Sequence, residues 1–107
     1  YPLGYNSPMN TFLTTAEFDA WLSALRDPIA KARIALRIRS AEDGNFGDCE
    51  PIGEGISEMR IHVGAGYRAY YTRRGEVLYL LLCGGDKSSQ KRDIKRAKAL
   101  LKTLPEG

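Results

Sequence analysis

Four side chains with chemistry to offer crowd into a short stretch of the chain. Arg60 and His62 alternate on one predicted strand, Arg68 opens the next, and Lys87 follows a third. Tyr67, Tyr70 and Tyr71 are interleaved with them. Guanidinium groups clamp phosphate oxygens through paired hydrogen bonds. Imidazole exchanges protons near neutral pH, and tyrosine rings offer bases a stacking surface. Brought together on adjacent strands, these residue types suit single-stranded RNA, with Tyr67 and Tyr70 as the rings that meet the bases. Each also has a plainer reading: Tyr71 and Tyr79 as core, Arg60 as the partner of Glu58 or Glu76, His62 as a solvated strand residue. The cluster outweighs its members.

Other catalytic motifs are missing. There is no P-loop, GxGxxG, GxSxG or HExxH. Gly84-Gly85-Asp86-Lys87-Ser88-Ser89 places glycines before a helix start, where an anion can be cradled, but the Walker spacing is absent. Cys49 and Cys83 form no CxxC and His62 is the single histidine, so a zinc site lacks its ligands. No metal and no cofactor are expected. Cys83 reads as a small buried hydrophobe, and free thiols fit a reducing cytoplasm.

The elements that must position these residues follow from periodicity. Thr14 with Glu17 fits a capping box, opening a helix to about Leu25 with Phe18, Trp21, Leu22 and Leu25 on its apolar face. Asp27-Pro28 starts another, with Ile29, Ala30, Ile34 and Ile38 inward. Ile56 to Val63 alternates as a half-buried strand, Gly64-Ala65-Gly66 turns the chain, and Tyr67 to Thr72 returns. Val77 to Cys83 is apolar throughout and predicts a central strand, ended by Gly84-Gly85. A last helix from about Ser88 carries Ile94, Ala97, Leu101 and Leu104 inward. The expected fold is α+β: an N-terminal helical hairpin and a C-terminal helix packed on a small antiparallel sheet. One sheet face is covered, and the other carries Arg60, His62, Arg68 and Tyr70. Residues 1–9 read as a flexible lead-in and 10–107 as a single domain.

The 107 residues are 43% hydrophobic and 27% charged, ordinary globular usage. No apolar run approaches the roughly 20 residues a membrane span needs, and no signal peptide is evident before Glu17. A cytoplasmic protein is expected. The net charge of +3 is unevenly placed: seven basic residues between Lys87 and Lys102 face one acid, Asp93. Lys91, Lys95 and Lys98 on that helix are candidate contacts to RNA phosphates.

Glu58-Met59-Arg60-Ile61, Gly64-Ala65-Gly66-Tyr67-Arg68-Ala69-Tyr70-Tyr71 and Leu81-Leu82-Cys83-Gly84-Gly85-Asp86-Lys87-Ser88-Ser89-Gln90, followed by Asp93-Ile94, resemble the addiction-module killer proteins. These are HigB-like toxins of the RelE/ParE superfamily. Phe18-Asp19-x-Trp21-Leu22 and Gly44-Asn45-x-Gly47-Asp48 are similar to the same subgroup, so the resemblance spans about Asn10 to Leu104. It implies a RelE/ParE-like fold and the toxin of a type II toxin–antitoxin pair. It implies a helix-turn-helix, HigA-like antitoxin as partner, with mRNA and the ribosome as targets. HigB-like and RelE-like members cleave mRNA without metal; ParE-like members poison DNA gyrase. An inactive remnant that only binds antitoxin is a third alternative. Arg68 matches the arginine after Gly-Tyr that contacts the scissile phosphate. Arg60 and Lys87 fall near basic positions, and His62 near a catalytic histidine. The stacking tyrosine late in RelE-like chains has no counterpart, since no Tyr follows Tyr79.

Overall fold

A computed structural model describes residues 8–105. The elements are β1 (Thr11–Thr14), α1 (Ala16–Ala24), α2 (Pro28–Glu42), β2 (Cys49–Gly53), β3 (Ile56–Ile61), β4 (Tyr67–Arg73), β5 (Leu78–Asp86) and α3 (Gln90–Thr103). A single 3-10 turn, Lys87–Ser89, joins β5 to α3. The strand order is β1-β5-β4-β3-β2. Of the expected lead-in, residues 1–7 lie outside the described range. Asn10 is already anchored, its backbone and side-chain amides donating to Glu42 and Ala41 carbonyls at 2.9 Å.

This arrangement corrects the expected fold in three respects. Among the described residues the sheet has five strands and is mixed, because β1 pairs in parallel with β5, Thr11 opposite Leu78. The two helices lie between strands, carrying the chain from the β1 edge to β2 at the opposite edge. They do not form a self-packed hairpin: α1 packs chiefly on β5, and α2 on β1 and β3. Each helix is stabilised by burying its own apolar stripe on the sheet rather than by pairing with its neighbour. Third, both faces are covered. Phe18, Ile34, Ala41, Met59, Ile61, Ala69, Tyr71 and Leu81 pack under α1 and α2. Ile56, Tyr70, Leu82, Cys83 and Ala97 pack under α3. The face expected to be open is the one α3 occupies.

Local signals shift in detail. The cap of α1 is Thr15, not Thr14: its hydroxyl accepts from Phe18 N at 3.0 Å and donates to the Leu82 carbonyl at 2.6 Å. Glu17 is therefore no capping-box partner and pairs with Arg96 instead. Asp27 caps α2 with Pro28 behind it, as read, but Ile29 is 63% exposed, and Ala41 is buried alongside Ala30 and Ile34. β2 contains Pro51, tolerated at a sheet edge where one ladder of hydrogen bonds is not needed. β5 runs through Gly84-Gly85 rather than ending there. A Cβ on Gly84 would meet the Trp21 ring at 2.3 Å, and one on Gly85 would meet Asp93 Oδ2 at 1.8 Å. These glycines make room for neighbours on the two sheet faces.

Candidate phosphate-binding cleft

The β3–β4 turn builds one wall of a cleft. Gly64 and Gly66 both have positive φ, 54° and 77°, the left-handed region glycine enters at little cost. The loop packs closely on Lys87, whose Cβ would lie 3.4 Å from a Cβ on Gly66. Across the ladder Arg60 pairs with Arg68, and Arg68 with Gly85. The result is an open cleft of about 390 Å³ lined by His62, Val63, Gly64, Ala65, Gly66, Arg68 and Lys87. A second groove, lined by Lys87, Ser88, Ser89, Gln90, Lys91 and Arg92, meets it at Lys87.

The candidates read from the sequence therefore separate. Arg68, His62 and Lys87 share one cleft. Arg60 does not line it; its Nε donates to Glu58 Oε1 at 3.0 Å and its Nη2 pairs with Glu50. These carboxylates, Glu58 first, hold the Arg60 pKa above its ordinary value. Tyr70 cannot stack on a base: it is fully buried under α3 and donates its hydroxyl to Glu58 Oε2 at 2.9 Å. Burial, then the Glu58 carboxylate, push its pKa upward. Tyr67 is half-buried on the opposite sheet face, edge-on to Trp21 at 6.4 Å. On α3, Lys91 and Lys95 are exposed, while Lys98 is half-buried and pairs with Glu54 at 3.6 Å.

The Arg60–Glu58 pair is the plainer reading of Arg60, but three features go beyond the sequence. Glu58 is fully buried, and its two oxygens together accept from Arg60, Arg68, Tyr70 and Gln90. Burial raises its pKa, but the donors from Arg60, Gln90 and Tyr70 and the charge of Arg68 outweigh it, holding the carboxyl below its ordinary value. His62 Nε2 lies 2.5 Å from Asp48 Oδ2, whose pKa this hydrogen bond lowers. Arg37 fixes Asp48 in place, donating to the backbone carbonyls of Phe46 at 3.0 Å, of Asp48 at 3.2 Å and of Arg60. Asp93, an acid in a basic run, is buried on Gly85 and accepts from Ser89 at 2.5 Å. The signal for Glu58 was present: it shares a strand face with Arg60 and lies opposite Tyr70.

Among the described residues, no group of three His, Cys, Asp or Glu side chains is placed to hold a metal ion. No described helix is long and apolar enough to cross a membrane. The chain is 52% identical over 91 residues to an uncharacterized protein of Haemophilus influenzae, across 85% of this chain and 92% of that one. The chain belongs to that protein's family. The relationship supplies ancestry and no activity, because the relative's name states none. No family model and no solved structure matches the chain. In this chain, the cleft formed by the turn after β3 and the end of β5 is where cationic side chains and an imidazole converge on open space.

Proposed function

We propose that the protein is the toxin of a type II toxin–antitoxin pair and acts in the cytoplasm as a metal-independent mRNA endoribonuclease at the ribosome, held in check by a helix-turn-helix antitoxin. One observation carries this reading: Arg68 on β4, His62 just past β3 and Lys87 in the turn after β5 line a single open cleft. In the proposed reaction the ribose 2′-hydroxyl attacks the adjacent phosphorus and the bond to the 5′-oxygen breaks, leaving a 2′,3′-cyclic phosphate. The phosphate gains negative charge on the way, which Arg68 and Lys87 are placed to offset. A base takes the 2′-hydroxyl proton and an acid protonates the leaving 5′-oxygen. His62, its ring held by Asp48, is the group in the cleft suited to proton exchange.

A ParE-like gyrase poison is the second reading. It is favoured by the commitment of Arg60, and of one donor of Arg68, to carboxylates, since a guanidinium already paired offsets less of the charge a cleavage transition state develops, and a binding surface makes no such demand. Induction in cells, with RNA 5′ ends mapped beside an assay for gyrase-trapped DNA breaks, separates the two. For the ribonuclease, Arg68→Ala lowers the cleavage rate on the order of 100-fold while the protein still folds. Undiminished toxicity of that variant, with translation still blocked, removes Arg68 from the mechanism.

A further inference from the structure

We infer that Glu58 is a positioning residue that fixes the guanidinium of Arg68 toward the cleft, an inference that rests on reading the cleft as a phosphodiester site. The geometry is that of a fully occupied hub. A carboxylate has two oxygens with about four lone-pair sites, and here all four have partners from β3, β4 and α3. Oε1 accepts from Arg60 Nε at 3.0 Å and Arg68 Nη1 at 2.8 Å. Oε2 accepts from Tyr70 Oη at 2.9 Å and Gln90 Nε2 at 3.0 Å. With its own rotation blocked by four donors, Glu58 is a rigid peg.

The two arginines use the peg differently. Arg60 divides its donors between Glu58 and Glu50 and does not line the cleft. Arg68 gives Glu58 one N–H, and among the described residues this is its only side-chain hydrogen bond. Its side chain is 13% exposed and lines the cleft. One donor anchors the planar group, and its remaining donors are available to an anion.

Packing alone does not account for an acid here. Position 58 lies on the α3 face of the sheet, opposite the ring of Tyr70, where an apolar side chain would fill the space. A buried ion pair gives no general stability advantage over well-packed apolar residues. What the carboxylate does that leucine would not is hold a long cationic side chain in one rotamer beside the substrate.

The test is Glu58→Gln, which keeps the shape and removes the charge. Turnover of RNA is expected to fall roughly 10- to 100-fold, the scale of a misplaced reacting group. KM should change little, because Lys87 and the α3 lysines still attract phosphate. In an Arg68→Ala background the same change should cost nothing further. Independently of any activity, the Arg68 guanidinium should rotate slowly by nitrogen-15 NMR in the wild type and fast in the variant. Additive losses, or an Arg68 signal that does not respond, overturn the inference. A wild type that cleaves no RNA but shows the slow-to-fast change refutes the ribonuclease reading and leaves the positioning of Arg68 standing. Should Glu58→Gln fail to fold, Tyr70→Phe, which removes one donor from the peg, must loosen the same signal, and an unchanged signal there overturns the inference too.

Discussion

The two faces of the sheet are built on different physics. Under α1 and α2 the contacts are apolar and aromatic: Phe12 stacks on Tyr79 at 5.0 Å and Phe46 on Tyr71 at 5.8 Å, beside fully buried Phe18 and Ile34. Under α3 an apolar patch of Ile56, Leu82 and Ala97 gives way, toward the cleft, to Glu58, Arg68, Gln90 and Asp93. Apolar burial is non-directional and scales with area. A buried charged network is directional and exacting, since each group left without its partner costs far more than the partnership yields. The first face supplies stability; the second constrains where donors point. The cleft lies at the end of the sheet where the constrained face meets solvent.

That contrast can be broken by experiment. The largest effect should be Phe18→Ala, which empties a core site and costs about 3–5 kcal/mol. Denaturant unfolding should return the same loss at pH 4 and pH 7, because no titrating group touches the cause. A loss that changes with pH would blur the distinction between the faces.

The next effect belongs to the charged face. The Glu58 carboxyl is held below its ordinary value of 4.5, so the folded state favours its ionised form. Its contribution is therefore fully present above about pH 4.5 and is lost as the pH falls through the depressed folded value. Glu58→Gln should lower stability at neutral pH by about 1–3 kcal/mol. It should also flatten the acid limb of the stability curve, measured as Tm against pH. An acid limb unchanged in the variant would assign acid unfolding to other carboxylates, such as Glu17 on Arg96.

The smallest effect on the fold should come from the outer face of α3. Arg96 is committed to Glu17 and Lys98 to Glu54, whereas Lys91 and Lys95 are exposed and form no ion pair among the described residues. Changing both to Glu should alter stability by no more than about 0.5 kcal/mol. If the proposed action at the ribosome holds, ribosome binding should weaken, and its salt slope should drop by roughly one per lysine. An unmoved slope would make this strip a solvated face.

Much of the local structure was legible because it follows from neighbours in the chain. Asp27-Pro28, the strand from Ile56, the Gly64-Ala65-Gly66 turn and the inner stripe of α3 are dictated by dihedral preference and period, although that strand ends at Ile61 rather than Val63 and is covered on both faces, not half-buried. β2 escaped notice because Pro51 and its flanking glycine erase the strand signal in an edge segment. The cluster of Arg68, His62 and Lys87 was legible as well, since a hairpin and the strand beside it bring those positions to one end.

What amino-acid order alone determined here is the identity and approximate extent of most elements and the presence of cationic chemistry beside the β3–β4 turn. Tertiary structure decided which strand β1 joins, which face α3 covers, and hence that Tyr70 is core while Arg68 borders open space. The reason is range. Helix caps, turns and alternation are set within a few residues, but pairing Thr11 with Leu78, or Gln90 with Glu58, joins parts of the chain 67 and 32 residues apart. No local period encodes such a partner; only the simultaneous burial of both sheet faces selects it.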